Sequence, residues 1–202
     1  MMENHELIKD IIIELRQYYT RGQKEFEISL AEKDEIEKLQ IVSLFKSMSG
    51  LVSCVRHVRD TDTLKGFLIM TQKAQKFITG QYLEIGVEKT VKNILNDWAK
   101  IHNASYEVYR NVKIEKIDGT IKNEFDVVIV LKNKFYIIEC KSGRNFYNWN
   151  RLTEIAIDYG IIPKRCCLVD SFASDDDIEC IEYFCEYNVS NINSLHDKII
   201  KM

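Results

Sequence analysis

Two apolar runs, Phe125–Leu131 and Phe135–Cys140, stand three residues apart in this sequence. Near-continuous Val, Ile, Leu and Phe of that length mark strands covered on both faces. Lys132-Asn133-Lys134 between them is short enough for a tight hairpin. The hairpin therefore has to lie inside a layered structure, and any charge within it needs a reason.

Three charges are there. Asp126 opens the first run, and Glu139 and Lys141 close the second. An ionised group beside a sheet core is costly unless it is paired or bound to a cation. Glu139 and Lys141 are two residues apart and so project from one face. A two-residue loop at 132–133 sets Asp126 opposite Glu139, and one at 133–134 sets it opposite Lys141. Either register predicts directly opposed Cβ atoms roughly 4.5–5.5 Å apart. Two converging carboxylates repel unless a divalent cation sits between them. Oxygen ligands of this kind suit Mg²⁺ or Mn²⁺, which can polarise a phosphodiester and lower the pKa of bound water. A lysine on the same face can orient that water or neutralise developing charge. A plain strand-end ion pair is the competing reading.

The surroundings give the element order. After Gly80, Leu83, Val87, Val91, Ile94, Leu95 and Trp98 form one face of a long helix. Tyr106, Val108, Arg110, Val112 and Ile114 alternate as a half-buried strand, and Asp118-Gly119 supplies a turn. Beyond the hairpin, Leu152, Ile155, Ala156 and Tyr159 line a helix that stops at Gly160, and Cys166 to Val169 is a buried strand. The fold class is α/β, ordered helix, three strands, helix, strand.

Residues 1–79 read as a mainly helical N-terminal module, with residues 80–202 as the second domain. Leu7, Ile11, Leu15, Tyr18 and Tyr19 recur at helical spacing, as do Ile41, Leu44, Phe45 and Met48. A third helix is expected from the capping oxygens of Asp60-Thr61-Asp62, carrying Leu64, Phe67 and Leu68. Leu51 to Arg59 fits strand or helix.

Composition narrows the setting. The 202 residues carry a net charge of −3, with one proline and eight glycines, so linker-dominated or collagen-like organisation is excluded. The charge is uneven. Residues 132–165 hold seven Lys/Arg against three Asp/Glu, while residues 166–202 hold two against eight. A generic basic coat for nucleic acid is ruled out, and a local basic patch is not. None of the six cysteines forms a Cys-x-x-Cys pair, so zinc spacing is absent and reduced thiols are expected. No apolar run is long enough to span a bilayer, and the first residues lack a signal-peptide layout. A cytoplasmic protein without membrane contact is the expectation.

Phe125-Asp126, thirteen residues before Glu139-Cys140-Lys141, resembles the split Asp…Glu-x-Lys motif of PD-(D/E)xK phosphodiesterases. The element order resembles their restriction-endonuclease-like core over about residues 80–170. Thr79-Gly80-Gln81-Tyr82-Leu83-Glu84, Asn123-Glu124-Phe125-Asp126 and Ile138-Glu139-Cys140-Lys141 are together similar to the nuclease domain of CRISPR-associated effectors activated by cyclic oligoadenylates. In that family the nuclease follows a sensor domain, and residues 1–79 are too short for one. Phe125 stands where the motif usually has proline.

The resemblance implies a metal-dependent endonuclease acting on DNA rather than RNA. It makes Asp126 and Glu139 metal ligands, with the backbone carbonyl of Cys140 as a third. Lys141 would position the water, and Glu84 would complete the acidic site. Glu124 is expected to point away from Asp126 and is left out. Ser142, Arg144, Arg151, Lys164 and Arg165 are candidate nucleic-acid contacts, with Gly143 letting the chain turn near a ligand and Phe146, Tyr147 and Trp149 offering stacking surfaces. A homodimer and a separate activating protein or ligand are compatible with the sequence. The competing classes are a non-catalytic nucleic-acid-binding module on the same fold, and an interaction protein working through residues 1–79.

Overall fold

The computed structural model describes residues 4–143 and 150–202, and the chain divides into two compact units, Met1–Tyr82 and Leu83–Met202.

The first unit contains helices α1 (His5–Thr20), α2 (Glu35–Ser47) and the short α3 (Gln72–Lys76), and strands β1 (Glu25–Ser29), β2 (Val52–Val58) and β3 (Thr63–Leu68). The strands form an antiparallel sheet in the order β1-β3-β2. Ile8, Ile11, Ile12 and Leu15 of α1 and Ile41 and Phe45 of α2 are buried, as are Phe26, Ile28, Leu64 and Leu68 of the sheet. Asp34 starts α2 with a capping box closed by Glu37. The expected third helix is corrected here. Residues 63–68 are β3, where Leu64, Gly66 and Leu68 are buried while Phe67 is 44% exposed, a period of two. Of residues 51–59, Val52–Val58 form strand β2, so the unit is a helix-and-sheet module rather than a mainly helical one. Gly66 is required in it, since a Cβ there would lie 2.8 Å from Phe26 Cζ.

The second unit begins on α4 (Tyr82–His102) and continues through β4 (Tyr106–Glu115), β5 (Ile121–Leu131) and β6 (Lys134–Lys141). It then runs through α5 (Asn150–Asp158), β7 (Cys166–Asp170), α6 (Asp175–Phe184), β8 (Asn188–Ser190) and α7 (Leu195–Lys201). The α/β order read from the sequence is present, and α6, β8 and α7 extend it. The sheet order is β4-β5-β6-β7-β8, antiparallel through β6 and parallel from β6 to β8.

Lys132 (φ +49°) and Asn133 (φ +59°) turn β5 into β6 with both backbones left-handed, the two-residue loop that matches strand twist. Gly160 (φ +65°) ends the turn after α5. One core of this unit joins Phe125, Val128 and Ile137 to Leu152 and Ala156 of α5, Cys166 and Leu168 of β7, and Ile178 and Ile181 of α6. Because β6 and β7 are parallel, Glu139–Lys141 and Leu168–Asp170 share one end of the sheet. Outside the carboxyl ends of parallel strands is where open α/β sheets bind ligands.

Candidate active site

Asp126 sits one step beyond the regular part of the hairpin. The β5–β6 ladder runs from Leu131↔Lys134 to Val127↔Ile138, the register that the 132–133 loop dictates, so the next position sets Asp126 across from Glu139. There the Asp126 side chain takes over as acceptor. Its Oδ2 accepts the backbone N–H of Cys140 at 2.7 Å, which ties β5 to the strand bearing the other two charges. Burial, and next the charge of Glu139, push the Asp126 carboxyl up to about 7. Glu84 adds to the push, while the Cys140 hydrogen bond and Lys141 oppose it. The two carboxylates therefore lie close enough for the charge of one to act on the other.

Lys141 Nζ lies 2.6 Å from Glu139 Oε1, the lysine side chain 34% exposed and the glutamate 15%. The end of β6 is held by the Ser171 N–H donating to the Lys141 carbonyl at 2.9 Å. The parallel register aligns Lys141 with Asp170, which is buried and whose carboxyl is raised by that burial. The Cys140 thiol is pushed well up by burial and is no nucleophile.

Glu84 reaches the same neighbourhood from the first turn of α4. Burial raises its carboxyl, Arg110 lowers it, and Glu124 and Glu139 raise it further. Glu124, set aside in the sequence reading, lies near enough to Glu84 for its charge to act on that carboxyl. Arg110 and Asp170 were also missed. An aspartate closing the apolar run Cys166–Val169 was a readable signal for Asp170. Nothing in the sequence pointed Arg110 toward α4, where its Nε is 3.6 Å from Glu88 Oε2.

The candidate nucleic-acid contacts divide. Ser142 follows Lys141 and is buried, and Arg151 stands exposed in the first turn of α5. Arg144, with Phe146, Tyr147 and Trp149, lies outside the described residues. Lys164 and Arg165 stand apart from the carboxylates. They precede β7, whose first residue pairs with Ile137, so they belong to the hairpin end of the sheet.

Among the described residues no three His, Cys, Asp or Glu side chains close on one point as a preformed metal cage. The donor set nevertheless fits a hard cation that keeps most of its water, which takes one or two carboxylates. The elevated Asp126 carboxyl marks a place where positive charge would be stabilising. Among the described residues no helix is long and apolar enough to cross a membrane.

Residues 71–155 match the model of a family described as Card1-like, endonuclease domain. That stretch is thus similar to an endonuclease domain. Two solved structures share the fold. Protein VC1899 from Vibrio cholerae is 20% identical with a TM-score of 0.59, over 99% of this chain and 52% of that one. Can2 from Sulfobacillus thermosulfidooxidans, solved with cyclic tetra-adenylate, is 18% identical with a TM-score of 0.60, over 99% and 53%. The chain therefore spans about half the length of these two proteins. No curated protein matches it.

Proposed function

We propose that this nuclease is a Mg²⁺- or Mn²⁺-dependent DNA endonuclease whose cation is held by Asp126 and Glu139, with the Cys140 carbonyl as a further ligand. The observation that carries the proposal is the convergence of these two carboxylates, with Lys141, at the carboxyl end of β6. When bound, the ion supplies Lewis-acid polarisation of a phosphodiester oxygen and acidifies a water.

The chain's own groups do the rest. Asp126 fixes its orientation by accepting the Cys140 N–H, which leaves its second oxygen for the ion. Lys141 exchanges Glu139 for the attacking water and for charge developing on the phosphate. Glu84 adds negative charge beside the pair, and Glu124 reinforces it. Ser142, Arg144 and Arg151, which follow β6 in the sequence, are the phosphate contacts of this reading.

The likeness to Can2 supports regulation by a separately supplied ligand or protein, and two copies acting together would cut both strands. Cytoplasmic action fits the reduced, unpaired state of all six cysteines. A binding role without cleavage is the second reading, favoured by the 2.6 Å contact that occupies Glu139 with Lys141.

The test is incubation of circular plasmid and single-stranded DNA with Mn²⁺, Mg²⁺ or EDTA, wild type beside Asp126→Asn. Cation-dependent nicking that Asp126→Asn abolishes is expected. DNA retarded in a gel but uncut in every metal, by a protein of intact fold, would establish the second reading instead.

A further inference from the structure

At the hairpin end of the sheet, far from the carboxylates, lies a cavity of about 280 Å³. Ile94, Leu95 and Trp98 of α4 form one wall, Lys132, Lys134 and Tyr136 another, and the C-terminal Ile199, Ile200 and Met202 a third. Among the described residues no acidic one lines it, in a chain with more carboxylates than cations. Its aromatic rings collect positive charge. Lys132 Nζ lies 5.0 Å from the Trp98 ring centroid, and the Arg165 guanidinium lies 5.9 Å from that of Tyr136. Lys134 and Tyr136, two apart on β6, share the side that faces α4. Arg165 thus joins the two lysines in a basic cluster at this end of the sheet.

An apolar floor, two aromatic rings and two lysines in the lining, with Arg165 beside Tyr136, recognise a planar base carrying a phosphate. The separation from the carboxylates is set by regular elements. Fourteen residues of α4 from Glu84 to Trp98 span about 21 Å, and five residues of β6 from Tyr136 to Lys141 about 16 Å. At 3.4 Å per step of one strand, that is about five or six nucleotides.

We propose that this cavity is a nucleic-acid exosite, taking a nucleotide of the substrate strand about five or six steps from the bond that is cut. Phosphates meet Lys132, Lys134 and Arg165, and a base rests against Trp98 and Tyr136. The proposal rests on the nuclease reading for its substrate, and its test is separable from it. The same chemistry describes a free nucleotide, so the experiment distinguishes the two sources.

The full chain in EDTA, where no cutting occurs, is titrated with fluorescent single-stranded DNA of 4 and of 16 nucleotides, and with thymidine monophosphate as competitor. The longer strand should bind at least tenfold tighter, and K132E/K134E should erase that advantage. The milder K132Q/K134Q should lower the slope of log affinity against log salt by about 1.4, from 0.7 per lost phosphate contact. Both lysines are exposed, and an unchanged circular dichroism spectrum confirms the fold of each variant.

Three results overturn the exosite: no binding of the 16-mer, an advantage of length that survives K132E/K134E, or a lysine-dependent site saturated by thymidine monophosphate with no gain from length. Wild type that shows the length advantage yet cuts nothing with Mg²⁺ or Mn²⁺ defeats the nuclease reading and leaves the exosite standing. Cutting that persists while K132E/K134E binds as wild type does the reverse.

Discussion

Asn111 and Asp126 oppose each other between the paired couples Arg110↔Val127 and Val112↔Phe125, and Asn111 holds a left-handed backbone (φ +56°) in the interior of β4. Residues two apart on a regular strand share a face. Here they do not. Arg110 pairs with Glu88 of α4, while Val112 packs on the core that contains Phe125 and α5. Across the ladder, Phe125 and Val128, three apart, enter that same core. The alternation therefore slips by one at Asn111 and Asp126, and Asp126 is released from the ladder to reach the Cys140 N–H with its side chain.

Asparagine tolerates this conformation, glycine adopts it freely, and a β-branched residue resists it. Asn111→Gly should unfold within a few degrees of wild type and keep its cation affinity. Asn111→Val should lose about 1–3 kcal/mol of stability and bind Mn²⁺ more weakly than Asn111→Gly does. Calorimetric titration beside thermal melts reads both. Equal Mn²⁺ affinity in the two variants would refute the role of the slip in aiming Asp126.

The raised Asp126 carboxyl makes a pH prediction for the metal-free protein. Its folded value of about 7 lies above the ordinary 3.8, so between those values the folded state holds the extra proton. Stability is then fully present below about pH 4 on this account and is lost as pH rises through 7. Burial raises Glu84 and Asp170 in the same sense. In EDTA the melting temperature should fall across that window, Asp126→Asn should flatten the fall, and Mg²⁺ should oppose it. A melting temperature that climbs from pH 5 to 7 in EDTA and is indifferent to Asp126→Asn would contradict it.

Glu124 provides a charge test that leaves the hairpin untouched. It is exposed, and it pushes the Glu84 carboxyl up while Arg110 pulls it down. Glu124→Gln should therefore lower the Glu84 titration, visible by NMR of the side-chain carboxyl. The loss of one nearby negative charge should weaken Mn²⁺ binding by at most a few-fold, since an exposed charge is screened by solvent. Arg110→Gln should move the Glu84 titration the other way. A Glu84 titration unmoved by both would remove Glu124 and Arg110 from the site.

The hairpin and its charges were legible because they obey local rules. A two-residue loop fixes the register, and ionisable groups in apolar runs stand out against the cost of burying them. The N-terminal sheet was not legible, because Leu64, Phe67 and Leu68 sit at helical spacing although only the leucines face inward. Short apolar sets are ambiguous in this way. The end of the sheet at which Lys164 and Arg165 stand was not legible, because a crossover through α5 decides which end of β6 they meet and no local signal encodes that. The slip at Asn111 likewise depends on two strands together.

Lys141 separates cation binding from catalysis. Its ammonium lies 2.6 Å from Glu139 Oε1, so in the metal-free protein it competes with a cation for that carboxylate. Lys141→Met keeps much of the stem volume and removes the competitor. Mn²⁺ should then bind several-fold tighter, as loss of a partly exposed pair worth about 1 kcal/mol allows. Cleavage of plasmid should fall by about 10²–10³-fold, the usual cost of removing one group that stabilises developing charge. Opposite movement of affinity and rate is the signature, because a merely structural lysine would weaken both. Tighter binding with undiminished cleavage would free Lys141 from the chemistry and leave Asp126 and Glu139 to carry it alone.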